Sequence, residues 1–179
     1  MIRGRLKKKI DLLLKHNISV FGFHLPLDAH PQYGNNAQLI KTLGLVDYGN
    51  FAFEGKHPIG YLGKWSSPKS MDEVVELLNE KVGEPNFVLN YGKTEISTVG
   101  ICSGSYPQGA DELIARGDID LYITGEIREQ TTYVIQEEEF NFIAAGHHQT
   151  ERFGPRAVGE LITKEFNIPV EFVDVPNPV

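Results

Sequence analysis

From residue 96 onward, short β-rich runs alternate with helical ones, and this constrains the fold more than any other feature of the chain. "ISTVGIC" precedes a helix over 107–116, "PQGADELIAR", which Gly117 closes. "IDLYIT", over 119–124, precedes a helix over 127–138. "FNFIAA", over 140–145, precedes a helix over 155–166 with Pro155 in its first turn, and "VEFVDV" reads as a last strand. Strands alternating with helices predict an α/β fold, a mixed or mostly parallel sheet covered by helices.

The amino-terminal half is less regular. Residues 3–15 place Leu6, Ile10, Leu13 and Leu14 at helical spacing. "ISVFGFHLP" is rich in β-branched and aromatic residues and stops at Pro26, which predicts a strand. "YGNNAQLIKTLG" predicts a short helix with Leu39, Ile40 and Leu43 on one face and a stop at Gly44. Short aromatic strands follow over 45–65, separated by glycine and proline. Ser70 then caps a helix with Met71, Val74, Val75, Leu78 and Val82 on one stripe, and "FVLNYG" reads as a strand. The 45–92 segment reads as a small insert packed on the sheet. No proline-rich or serine-rich linker separates it, so residues 1–179 are expected to form one domain. The tail "VPNPV" is expected to be extended and peripheral.

Charge and composition narrow the function. A net charge of −7 disfavours nonspecific nucleic-acid binding, which depends on neutralising phosphates. The basic cluster Arg3, Arg5, Lys7, Lys8 and Lys9 fits a solvated helix face. The lone cysteine, Cys102, cannot form an internal disulfide and fits a buried small hydrophobe. No apolar run approaches the ~20 residues that span a bilayer, and the first residues lack a signal-peptide cleavage site. A cytoplasmic protein with no membrane contact is the expectation.

Three polar clusters each follow a predicted strand: His24, Asp28 and His30 in "HLPLDAHP", Glu126 in "ITGEI", and His147, His148 and Glu151 in "GHHQTE". Loops at the carboxyl ends of parallel strands converge on one edge of a sheet. If residues 147–151 wind helically, His147 and Glu151 face the same way and form a half-site for zinc, iron, manganese or nickel. Asp28 would add a hard ligand able to bridge two ions, and two cations ~3.5–4 Å apart can activate water for hydrolysis. Blander roles compete. Asp28 could be a turn residue, Glu126 could cap the next helix, His16 and His57 could be surface residues, and His148 could point in or out. "CSGSYPQG" is glycine-rich but lacks the P-loop lysine and the dinucleotide spacing.

Taken together, "HLPLDAH", "YGNNAQL", "GICSGS", "YITGEI", "GHHQTER" and the closing "FVDVPNPV" closely resemble the YbgI-type family, the GTP cyclohydrolase 1 type 2 homologues or NGG-interacting-factor-three-like proteins. The resemblance implies a two-metal centre in an α/β fold and a toroidal homohexamer. It implies Asp28, His147 and Glu151 as metal ligands, with His148 a neighbour near the pocket. His24 and Glu126 would line the same cavity as candidates for catalysis. Members also carry an upstream "HHG"-type histidine pair supplying two further ligands. This chain starts just past where that pair belongs, so the family's first elements are expected to be missing and the two-ion site incomplete. Two functions follow: a metal-dependent hydrolase of a nucleotide-like or other small polar substrate, or a non-catalytic metal-binding scaffold.

Overall fold

The computed structural model describes residues 1–177. Its centre is a six-stranded mixed sheet of order β1-β2-β4-β5-β6-β3. The strands are β1 (Val46–Glu54), β2 (His57–Lys69), β3 (Phe87–Asn90), β4 (Ile96–Cys102), β5 (Leu121–Thr124) and β6 (Asn141–Ala144). β4, β5 and β6 run parallel, while β1 pairs β2, β2 pairs β4 and β3 pairs β6 antiparallel.

The parallel centre follows from the sequence. A parallel strand is covered on both faces by crossover helices, so its residues are apolar almost without interruption. Every residue of β5 and β6 is buried. Val99, Ile101, Leu121, Ile123 and Ile143 face one core, and Cys102, Tyr122, Phe142 and Ala144 face the other. The first core is closed by α3 (Asn35–Thr42), α4 (Met71–Lys81) and the start of α8 (Phe153–Phe166). The second is closed by α5 (Gly109–Arg116) and α6 (Glu129–Glu137). Gly100 is needed here, because a Cβ would strike the Leu113 side chain that α5 lays on β4. α4 begins with the capping box that "SMDE" encodes: the Ser70 hydroxyl accepts from the Glu73 amide, and the Glu73 carboxylate accepts from the Ser70 amide.

Two predicted strands are absent. Residues 18–23 lie outside the sheet, and Ile18, Val20, Phe21 and Phe23 are exposed, after α1 (Gly4–Lys15), which buries no residue. β propensity makes a strand only where another strand can pair with it, and among the described residues none does. At the end of "HLP" the chain instead enters α2 (Leu25–Asp28), with Pro26 in its first turn. "VEFVDV" likewise joins no sheet and runs along α8, where Gly159 leaves room for Val170. The expected short strands over 45–65 are two long ones in a hairpin. The proline expected to separate them, Pro58, is accommodated because it lies beyond the run that pairs with β4. Residues 178–179, the end of "VPNPV", lie outside the described residues. No helix among the described residues is long and apolar enough to cross a membrane.

Candidate metal centre

The parallel strands deliver three loops to one rim. After β4 come Ser103, Gly104 and Ser105; after β5, Gly125 and Glu126; after β6, Gly146 and the single turn α7 (His147–Thr150). Backbone bonds tie the loops together: Gly125 donates to Gly104, and Gly146 donates to Gly125. These approaches require glycine. A Cβ on Gly125 would fall on the Gly104 carbonyl oxygen and on His147 backbone. Gly104 has φ +68°, and a Cβ there would fall on Glu151 Oε1, with His147 Nε2 3.3 Å away.

α7 places His147 and Glu151 one turn apart, as the spacing predicts, with His147 Nε2 3.2 Å from Glu151 Oε2. Across the rim, α2 presents Asp28. One ligand atom each from His24, Asp28 and Glu151 all lie within 4.8 Å of one another. The structure thus joins Asp28 and Glu151 with His24, and seats His147 against Glu151. Glu151 is common to both groupings.

The electrostatics suit a cation. Burial raises the Glu151 carboxyl above its usual range, and the Asp28 charge adds to this against the lowering pull of His147. Burial works against a charged His147, but the hydrogen bond to Glu126 and the charge of Glu151 outweigh it and raise its pKa. Two carboxylates and one imidazole, from Asp28, Glu151 and His24, are a donor set that a borderline divalent metal accepts, and a cation between the acids would relieve their repulsion.

Glu126 caps nothing, since α6 begins only at Glu129. Its Oε1 lies 2.5 Å from His147 Nδ1, and its Oε2 accepts from the Ser105 hydroxyl at 2.8 Å. The hydrogen bond from His147, with that from Ser105, holds the Glu126 carboxyl below its usual range. A carboxylate on Nδ1 orients the imidazole and directs Nε2 towards Glu151.

His148 turns away from this group, with its Nε2 2.7 Å from Asp174 Oδ1 in the carboxy-terminal tail. His30 accepts from the Gln32 and Tyr33 amides and shapes a turn. His16 and His57 are exposed. Cys102 is buried, and burial pushes its thiol up to about 12, with Asp28 adding to the effect, so it does not ionise near neutral pH.

Sequence reasoning gave no role to three buried polar side chains that hold the site. Asn35 donates to Asp28 Oδ1 at 2.7 Å and accepts from the Gly154 amide at 2.7 Å. Asn36 donates to the Ile59 carbonyl and accepts from the Ser103 amide. Thr150 accepts from the Gly104 amide. The available signal was the adjacent pair "NN" at the start of an apolar helix stripe, where side chains that turn inward must find partners.

A model of Duf34/NIF3 (NGG1p interacting factor 3) matches residues 1–178. The chain belongs to this family. It is 38% identical to a GTP cyclohydrolase 1 type 2 homolog of Yersinia pestis and 39% identical to that of Haemophilus influenzae. Each match covers 99% of this chain and 70% of the relative. Among solved structures, protein ybgI, described as of unknown function, superposes with a TM-score of 0.92 at 35% identity over 100% of this chain and 70% of that one. A protein of Thermus thermophilus superposes at 0.83 with 31% identity, again over 100% and 70%. The Duf34/NIF3 resemblance and the mixed α/β fold expected from the motifs are therefore both found.

Proposed function

We propose that this Duf34/NIF3 protein binds a divalent transition metal through Asp28, His147 and Glu151 and acts in the cytoplasm as a metal-dependent hydrolase of a nucleotide-like or other small polar substrate. The observation that carries the reading is the meeting of Asp28 and Glu151 within 4.8 Å, from chain segments more than a hundred residues apart. A divalent ion held there would lower the pKa of bound water towards ~7 and so supply a nucleophile at neutral pH. The chain's own residues do the rest. Glu126 orients His147, and Asn35 aims the Asp28 carboxylate. With both oxygens engaged and its carboxyl held low, Glu126 is better suited to positioning than to donating protons. His24, exposed and with Nε2 3.7 Å from Asp28 Oδ2, is the better proton carrier and a reserve nitrogen ligand. The relatives' name suggests a guanine nucleotide, but no side chain described above selects guanine, so the broader class is retained.

A second reading is a metal-binding oligomer, a ring of six by family resemblance, that turns over nothing. It is favoured by the exposed apolar run Ile18, Val20, Phe21 and Phe23 beside an α1 that buries no residue, a surface that self-association would cover. Elemental analysis, with nucleotide hydrolysis assayed before and after complete chelation, separates the two. The hydrolase reading predicts bound metal, and activity that is lost on stripping and restored by metal. Activity that survives stripping contradicts the mechanism, and metal without turnover favours the scaffold.

A further inference from the structure

A glycine follows each parallel strand, and a polar side chain follows each glycine: Gly104-Ser105 after β4, Gly125-Glu126 after β5 and Gly146-His147 after β6. The glycines form a backbone ladder, with the Gly125 amide donating to the Gly104 carbonyl at 2.9 Å and the Gly146 amide to the Gly125 carbonyl at 3.0 Å. One residue further on, the side chains form a second ladder in the same order. The Ser105 hydroxyl donates to Glu126 Oε2 at 2.8 Å, and Glu126 Oε1 lies 2.5 Å from His147 Nδ1. The parallel register of the strands thus lines up three side chains from segments about twenty residues apart.

This second ladder has a direction. A carboxylate only accepts, so Ser105 and His147 must both donate to Glu126. A proton on Nδ1 leaves the lone pair of a neutral ring on Nε2, which faces Glu151 Oε2 at 3.2 Å. Two ligand atoms ~2.1 Å from one tetrahedral ion stand about 3.4 Å apart, so the gap has the width that a shared metal needs. The orientation of His147 is therefore only as firm as that of Glu126. Ser105 engages the carboxylate oxygen that His147 leaves free, so the carboxylate cannot turn without losing a bond.

We propose that Ser105 is a positioning residue of the metal centre: its hydroxyl holds Glu126, which holds His147 in the Nδ1–H tautomer with Nε2 turned to Glu151. The effect on metal binding rests on the reading of Asp28, His147 and Glu151 as ligands. The orientation of His147 does not.

Two measurements on the full chain test this. The chelated protein is titrated with zinc against a competing chelator. Nitrogen NMR of the metal-free protein, in alkaline solution, reads the tautomer of His147, with His147→Gln assigning its signals. Ser105→Ala should lower zinc affinity about tenfold, the lower end of the range for a group that orients a ligand. It should also move the ring from a single Nδ1–H form towards the mixture of a free imidazole. Ser105→Thr, which keeps the hydroxyl, should restore both. Ser105 is exposed, so metal-free Ser105→Ala should unfold at the parent's temperature. In a Glu126→Ala background Ser105→Ala should add nothing, because its effect passes through Glu126. An unchanged tautomer in Ser105→Ala, a threonine variant as impaired as the alanine one, or additive losses from Ser105→Ala and Glu126→Ala overturn the assignment. So does unchanged zinc affinity in Ser105→Ala when the parent binds zinc. A tautomer that depends on Ser105 in a parent that takes up no zinc would end the metal reading alone. Zinc uptake with a tautomer indifferent to Ser105 would end this inference alone.

Discussion

Glu151→Ala is expected to lower metal affinity by more than ~100-fold, while His148→Ala changes it by less than a factor of about ten. The two residues sit in the same short segment but face different partners. Glu151 stands between His147, 3.2 Å away, and the grouping with His24 and Asp28. Removing its carboxylate dissolves both groupings at once. His148 pairs with Asp174 in the tail, so its loss frees that carboxylate without removing a candidate metal ligand. Elemental analysis of the two variants, purified and dialysed in parallel, reads the difference. Equal metal loss in both would contradict the ligand assignment.

Asn35→Ala should combine two large effects in one substitution. Asn35 is 4% exposed, and its amide links the Asp28 carboxylate to the first turn of α8. Truncation leaves the Gly154 amide buried without an acceptor and strips a charge-assisted bond from Asp28, for a cost of roughly 2–4 kcal/mol. Asp28 then becomes free to swing, and a group that orients a ligand typically contributes about 10–100-fold in metal affinity. Thermal unfolding of the metal-free protein measures the first effect, and metal titration the second. Unchanged stability together with unchanged affinity would show that Asn35 does not hold Asp28.

These two residues mark what the sequence could and could not reveal. His147 and Glu151 were legible because helical periodicity alone sets their relation, and "GHHQT" does wind as a turn. The sheet centre was legible because β5 and β6 are buried on both faces and so spell continuous apolar runs. Asn35 was not legible, since its role depends on α2 and α8 arriving from opposite ends of the chain, which no local pattern encodes. The misread strands fail for a related reason. "ISVFGF" and "VEFVDV" have the composition of strands, but strand formation is decided by a partner elsewhere, and the described residues offer them none. Glu126 lay between these cases: its position after β5 was readable, yet only the fold sets it on His147 and not at the start of α6.

The central claim, that Asp28, His147 and Glu151 enclose a metal, is tested most directly by anomalous diffraction from crystals grown with zinc or manganese. The expected result is an anomalous peak at coordination distance from Glu151 and from Asp28 or His147. Full metal occupancy elsewhere on the chain, with these three side chains unliganded, would contradict the account.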